Sequence, residues 1–181
     1  MNQYIGEFIR MNKSAGDMLT KGLFPNGKEI TESMGAYYAL KFLANKINIR
    51  LDNTCLAVCV GDGSTPRTGG LLAFRTKIDC LSIDPNLRDF NWEIDRLSCV
   101  RSKVEDVNYL FYQYNHVFIV MVHSHAPLKP TLEHIRTTQN RHLIVIPCCD
   151  HNQILSQPGY VYRDNRIESP MNLVYIWDNV K

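Results

Sequence analysis

The chain has 181 residues, of which 45% are hydrophobic, 10% aromatic and 21% charged. That suits one domain with a core large enough to need no metal or disulfide, and it excludes collagen-like, disordered and low-complexity classes. Twenty Lys and Arg against eighteen Asp and Glu give a formal charge of +2 and a pI near 8.2, a balance that neither demands nor excludes a nucleic-acid partner. The longest apolar run, Val117–Val122, is far short of the ~20 residues of a membrane span. Met1-Asn2-Gln3-Tyr4 opens neither a basic nor an apolar leader segment, so no secretory signal is expected. Cys55, Cys59, Cys80 and Cys99 lie in or beside apolar runs, and Cys148 and Cys149 are adjacent. Free thiols in a cytoplasmic or other reducing intracellular compartment are therefore expected.

In chain order, the first thirty residues are mixed, with Gly16, Gly22, Pro25 and Gly27 as breakers. From Thr31, capped by itself or by Ser33, Met34, Tyr37, Tyr38, Leu40 and Leu43 recur at helical spacing. Five short runs follow: Cys55–Val60, Ile78–Ile83, Leu97–Val100, Val117–Val122 and Leu143–Ile146. They are too short for core helices and rich in Val and Ile, as buried parallel strands are. Val107, Leu110, Phe111 and Tyr114 predict a helix face between the third and fourth runs, and Thr131 could cap a short helix reaching Thr138. Tyr160–Arg163 and Asn172–Trp177 read as a final strand pair. The alternation predicts an α/β fold with a doubly wound, mostly parallel sheet. It forms a single domain, with residues 1–50 a helical segment and 51–181 the core.

In such a sheet, ligands bind at the carboxyl ends of the strands. After the first run stand Gly61-Asp62-Gly63, where glycines permit a sharp turn and close approach to a ligand. Ser64 or Thr65 is placed to cap the next helix and Pro66 to open it. The second run ends in Ser82-Ile83-Asp84-Pro85, with Asp84 about 20 residues past Gly63, the offset at which an acidic side chain meets a ribose diol. A strand-terminating Asp-Pro turn explains the same residues without a ligand. After the third run, Val104 could pack against an adenine ring and Asp106 could accept its amine. Alternatively, Glu105 and Asp106 only complement a helix dipole.

Val-Cys-Val-Gly-Asp-Gly, Ser-Ile-Asp-Pro and Val-Glu-Asp, in this order across about residues 31–147, resemble the motifs of class I S-adenosylmethionine-dependent methyltransferases. The resemblance implies a Rossmann-like methyltransferase fold with an antiparallel final strand, and S-adenosylmethionine as cofactor. It implies that Gly61, Asp62 and Gly63 lie at the methionine moiety, Asp84 at the ribose, and Val104, Glu105 and Asp106 at the adenine. The acidic residue that usually opens the glycine motif is replaced by Cys59 or Ala57, with Asp62 inside the loop instead.

His123 and His125 end the fourth run, where the family places substrate-facing residues, and either could orient or deprotonate a methyl acceptor. Paired loop histidines with ordinary hydrogen bonds are the plainer reading. With Cys148, Cys149, Asp150 and His151 they form a zinc-competent inventory, but the spacing matches no established zinc pattern and no metal is expected. Arg67, Arg75, Lys77, Arg101 and Lys103 could rim the site for RNA or another phosphate-bearing acceptor. The competing reading is a catalytically inactive methyltransferase-like scaffold or binding subunit. In that case some of Tyr109, Phe111, Tyr112 and Tyr114 could meet a protein partner.

Overall fold

The computed structural model describes residues 1–148 and 154–180. Three helices come first: α1 (Gln3–Ile9), α2 (Lys13–Thr20) and α3 (Gly27–Lys46). The side chain of Asn26 caps α3 by accepting from the Glu29 N–H at 3.1 Å, so the helix starts four residues before the Thr31 cap read from the sequence. Thr31 is instead buried inside the helix, where its hydroxyl donates to the Lys28 carbonyl and accepts from the Glu168 N–H.

The strands β1 (Cys55–Val60), β2 (Asp79–Ile83), β3 (Leu97–Val100), β5 (His116–Val122) and β7 (Asn140–Ile146) coincide with the five apolar runs. Together with β8 (Tyr160–Arg163) and β9 (Leu173–Trp177) they form a seven-stranded sheet in the order β3-β2-β1-β5-β7-β9-β8. Neighbours from β3 to β7 are parallel, and β9 lies antiparallel between β7 and β8. Strand order reverses between β1 and β5, so their carboxyl ends flank the crevice where ligands of such sheets sit.

Side-chain alternation gives the sheet two apolar faces. Ala57, Cys59, Phe118, Val120 and Ile144 pack under α3 and α4 (Arg67–Arg75). Val58, Val60, Ile119, Met121 and Val145 face the other way, toward Val104, Leu128 and Ile135. The second face carries less helix than expected. Where the sequence suggests a helix over Val107–Tyr114, a 3-10 turn (Val104–Asp106) leads into β4 (Tyr109–Phe111), which pairs in parallel with β6 (Ile135–Thr137). Val107, Tyr109 and Phe111 pack on the core while Leu110 and Tyr112 are exposed, a period of two that the helical reading of the same residues conceals. Tyr114 also turns inward, leaving Tyr112 as the outward aromatic of that group. The helix α5 (Leu128–His134) starts after Pro127, and Thr131 lies inside it, its hydroxyl donating to the Pro127 carbonyl.

Among the described residues, no helix is long and apolar enough to cross a membrane. Cys55, Cys59, Cys80 and Cys99 are free thiols; burial pushes Cys59 and Cys80 well up and Cys99 up to about 11, which leaves these three protonated and unreactive near neutral pH.

Candidate functional site

The turn after β1 depends on its two glycines. Gly61 has φ +71°, and a β-carbon there would sit 2.0 Å from Ser124 Oγ, so the chain leaving β1 lies directly against the chain leaving β5. Gly63 has φ +90°, and its N–H donates to Asp84 Oδ2 at 2.8 Å. Asp84 also accepts the Asn86 N–H at 2.7 Å on its other oxygen. One buried carboxylate thus ties the glycine loop to the turn after β2, and each oxygen keeps a lone pair for a further donor.

Asp62 faces elsewhere. It is buried, and its carboxylate accepts from the N–H groups of Thr68 (2.9 Å) and Gly69 (3.0 Å) and from the Ser82 hydroxyl (2.8 Å). It therefore caps α4, the role read from the sequence for Ser64 or Thr65, and Pro66 occupies the cap position one residue before the helix. The Thr65 hydroxyl donates instead to the Leu23 carbonyl.

A cavity of about 250 Å³ opens at the carboxyl ends of β1, β2 and β5. Gly61 and Asp84 line it with Pro85 and Asn86, opposite Ser102, Lys103, Val104 and Glu105, and the segment His125–Pro127 closes the third side. Gly61, Asp84, Val104, Glu105 and His125 are thus brought together, whereas Asp62, Gly63, Asp106 and His123 are not among the lining residues. A larger cavity of about 740 Å³ lies near the opposite end of the sheet, lined in part by Gln139 and Arg141 of the amino end of β7. Its lining includes neither the glycine loop nor Asp84 nor His125, so the smaller cavity is the candidate site.

The two histidines diverge. His123 has φ +48° and turns its ring toward α3, with Nε2 3.1 Å from the Met171 carbonyl and Nδ1 3.4 Å from Glu32 Oε1. Burial pushes its pKa below the ordinary imidazole value, against the opposing pull of Glu32. His125 is exposed at the cavity rim. Of the five basic residues, Lys103 lines the cavity and Arg101 points Nε toward the Pro85 carbonyl. Arg67 pairs with Glu29 and Arg75 with Glu7, so the expected basic rim is broken. Among the described residues no three His, Cys, Asp or Glu side chains are grouped to hold a metal ion; Cys149, Asp150 and His151 lie outside the described residues. Glu32, buried on α3 and part of no recognisable motif, is the site-adjacent residue that sequence reasoning overlooks.

The sequence matches no protein-family model and no curated protein. Solved structures do match. The S-adenosylmethionine complex of a mutant MtNAS superposes with a TM-score of 0.53 at 11% identity, over 97% of this chain and 76% of that one. MtNAS in complex with MTA and tNA gives 0.50 at 12% identity, over 98% and 69%. A SAM-dependent methyltransferase from Aquifex aeolicus gives 0.49 at 12% identity, over 97% and 98%. The chain has a Rossmann-like methyltransferase fold. Within that fold, the glycine loop after β1 and Asp84 after β2 occupy the strand ends on one side of the crevice, and His123 and His125 follow β5 on the other.

Proposed function

We propose that this protein is an S-adenosylmethionine-dependent methyltransferase. The observation that carries the reading is the cavity itself. It sets the Asp84 carboxylate, with acceptor capacity to spare, between the glycine turn and two apolar walls, Pro85 and Val104. Those walls suit an adenine ring and the carboxylate suits a ribose diol. At about 250 Å³ the cavity is below the ~300–1,000 Å³ of drug-sized ligand pockets, so it is scaled to a nucleoside and leaves an acceptor outside it. When bound, the cofactor would supply a methyl group on a sulfonium, and Gly61, Asp84, Val104 and Glu105 would hold it.

The protein's part in such a transfer is alignment and exclusion of water. His125, at the rim, would orient the acceptor or take its proton. Lys103 and Arg101 offer the cationic contact nearest the cavity, enough for a single phosphate of an acceptor.

S-adenosylhomocysteine at ~100 times its dissociation constant adds about 2.7 kcal/mol of stability, which for a domain of this size raises Tm by about 5–11 °C. No shift with either S-adenosylhomocysteine or S-adenosylmethionine defeats the reading. With an acceptor in hand, His125→Ala should lose turnover by about 10²–10⁴-fold while that shift is unchanged.

A further inference from the structure

Buried polar atoms in folded proteins nearly always have partners, and an orphan calls for an explanation. Among the described residues five buried side-chain atoms lack a hydrogen bond, and three of them, Glu29 Oε2, Glu32 Oε1 and Arg67 Nε, belong to one cluster. Glu29 and Glu32 stand near the start of α3, and Arg67 opens α4. The Glu32 side chain is 2% exposed, with Lys28 Nζ at 3.5 Å and His123 Nδ1 at 3.4 Å. Lys28 is half exposed to water, and burial disfavours the charged form of His123, so neither is a buried cation matched to this carboxylate. Glu29 Oε2 lies 3.6 Å from Arg67 Nη1, and that guanidinium reaches the glycine loop, 2.6 Å from where a Gly63 β-carbon would be. The cluster therefore adjoins the glycine turn next to the cavity.

We infer that Glu32, with Glu29 and Arg67 beside it, is a subsite for a primary ammonium group. A buried carboxylate oxygen lacking a donor is what an ammonium with three N–H groups completes, and the neighbouring guanidinium would accommodate a carboxylate on the same ligand. The ammonium could belong to the amino-acid end of S-adenosylmethionine or to an amine that accepts the methyl group. The inference rests on the methyltransferase reading for the identity of the adjoining ligand.

The test uses Glu32→Gln, which keeps the shape and removes the charge, with calorimetry on S-adenosylhomocysteine and on 5′-methylthioadenosine, which lacks the amino-acid end. If the ammonium is the cofactor's, the variant weakens S-adenosylhomocysteine by about tenfold or more and leaves 5′-methylthioadenosine within about twofold. If it is the acceptor's, both nucleosides bind the variant normally. Millimolar putrescine then raises the Tm of the S-adenosylhomocysteine complex of the parent but not of the variant, and butane-1,4-diol raises neither. Unchanged nucleoside binding with no putrescine effect, or with an equal effect on parent and variant, overturns the subsite. If the parent binds neither nucleoside, the methyltransferase reading fails; the subsite survives only if putrescine still protects the parent alone. Should Glu32→Gln not fold, Glu29→Gln at its partly exposed position must show the same pattern with a smaller loss.

Discussion

Replacing Asp84 by Asn separates two jobs that one side chain performs. Its oxygens accept from Gly63 N–H at 2.8 Å and Asn86 N–H at 2.7 Å, and it is 7% exposed. An Asn has one accepting oxygen, so its amide group would face one of these N–H donors and leave it unsatisfied. A buried donor without a partner costs about 1–3 kcal/mol. For a domain of this size that lowers Tm by about 2–12 °C. Beyond this, the ribose of a bound nucleoside would lose a charge-assisted acceptor, ~1.5–3 kcal/mol, or about 10–150-fold in affinity. Differential scanning fluorimetry reads the first effect. Titration calorimetry with S-adenosylhomocysteine, at a temperature where both proteins are fully folded, reads the second. A lower Tm with affinity within about twofold would mean that the carboxylate only pins the glycine loop. An unchanged Tm would refute the hydrogen bonding described for the free protein.

Gly61→Ala places a β-carbon 2.0 Å from Ser124 Oγ on a backbone at φ +71°, and strain plus overpacking should destabilise by about 2–5 kcal/mol. A thermal midpoint within about 2 °C of the parent would contradict that packing. His116, His123 and His142 are each held below the ordinary value of 6.5 chiefly by burial. His142 does so despite the 2.8 Å contact of its Nδ1 with Asp178 Oδ1. Because their folded values are depressed, the unfolded chain takes up protons first; the stability they contribute is complete above the unfolded value and is lost as pH falls through the folded one. Urea midpoints measured from about pH 7.5 down to about pH 5 should fall steadily, and a flat or rising midpoint would exclude neutral buried imidazoles.

The strands were legible because each core run is short, apolar and bounded by polar turns, and the sheet buries both faces of its centre. That Gly61, Asp84 and Val104 would meet around one cavity was legible for a related reason: they follow those strands, where chain order already implies a crevice. Residues 107–114 were not, since Val107, Leu110, Phe111 and Tyr114 satisfy a period of 3.6 while Val107, Tyr109 and Phe111 satisfy one of two. Only pairing with Ile135–Thr137, distant in sequence, selects the extended form. The helix starts were misplaced because Thr31, Ser64 and Thr65 are good local caps, while the caps used are Asn26 and the buried carboxylate of Asp62.

What the sequence by itself determined is the order of strands and loops and hence the family of fold, because hydrophobic period and turn residues are local properties. Tertiary structure alone decided the direction each polar side chain takes. Asp62 and Asp84 each stand just after a core strand, yet the first is consumed by the amino end of α4 and the second lines the cavity. His123 and His125 lie two residues apart, yet one meets Glu32 on α3 and the other the cavity rim. Those outcomes depend on where α3 and α4 dock against the sheet, and docking is set by packing among residues far apart in the chain.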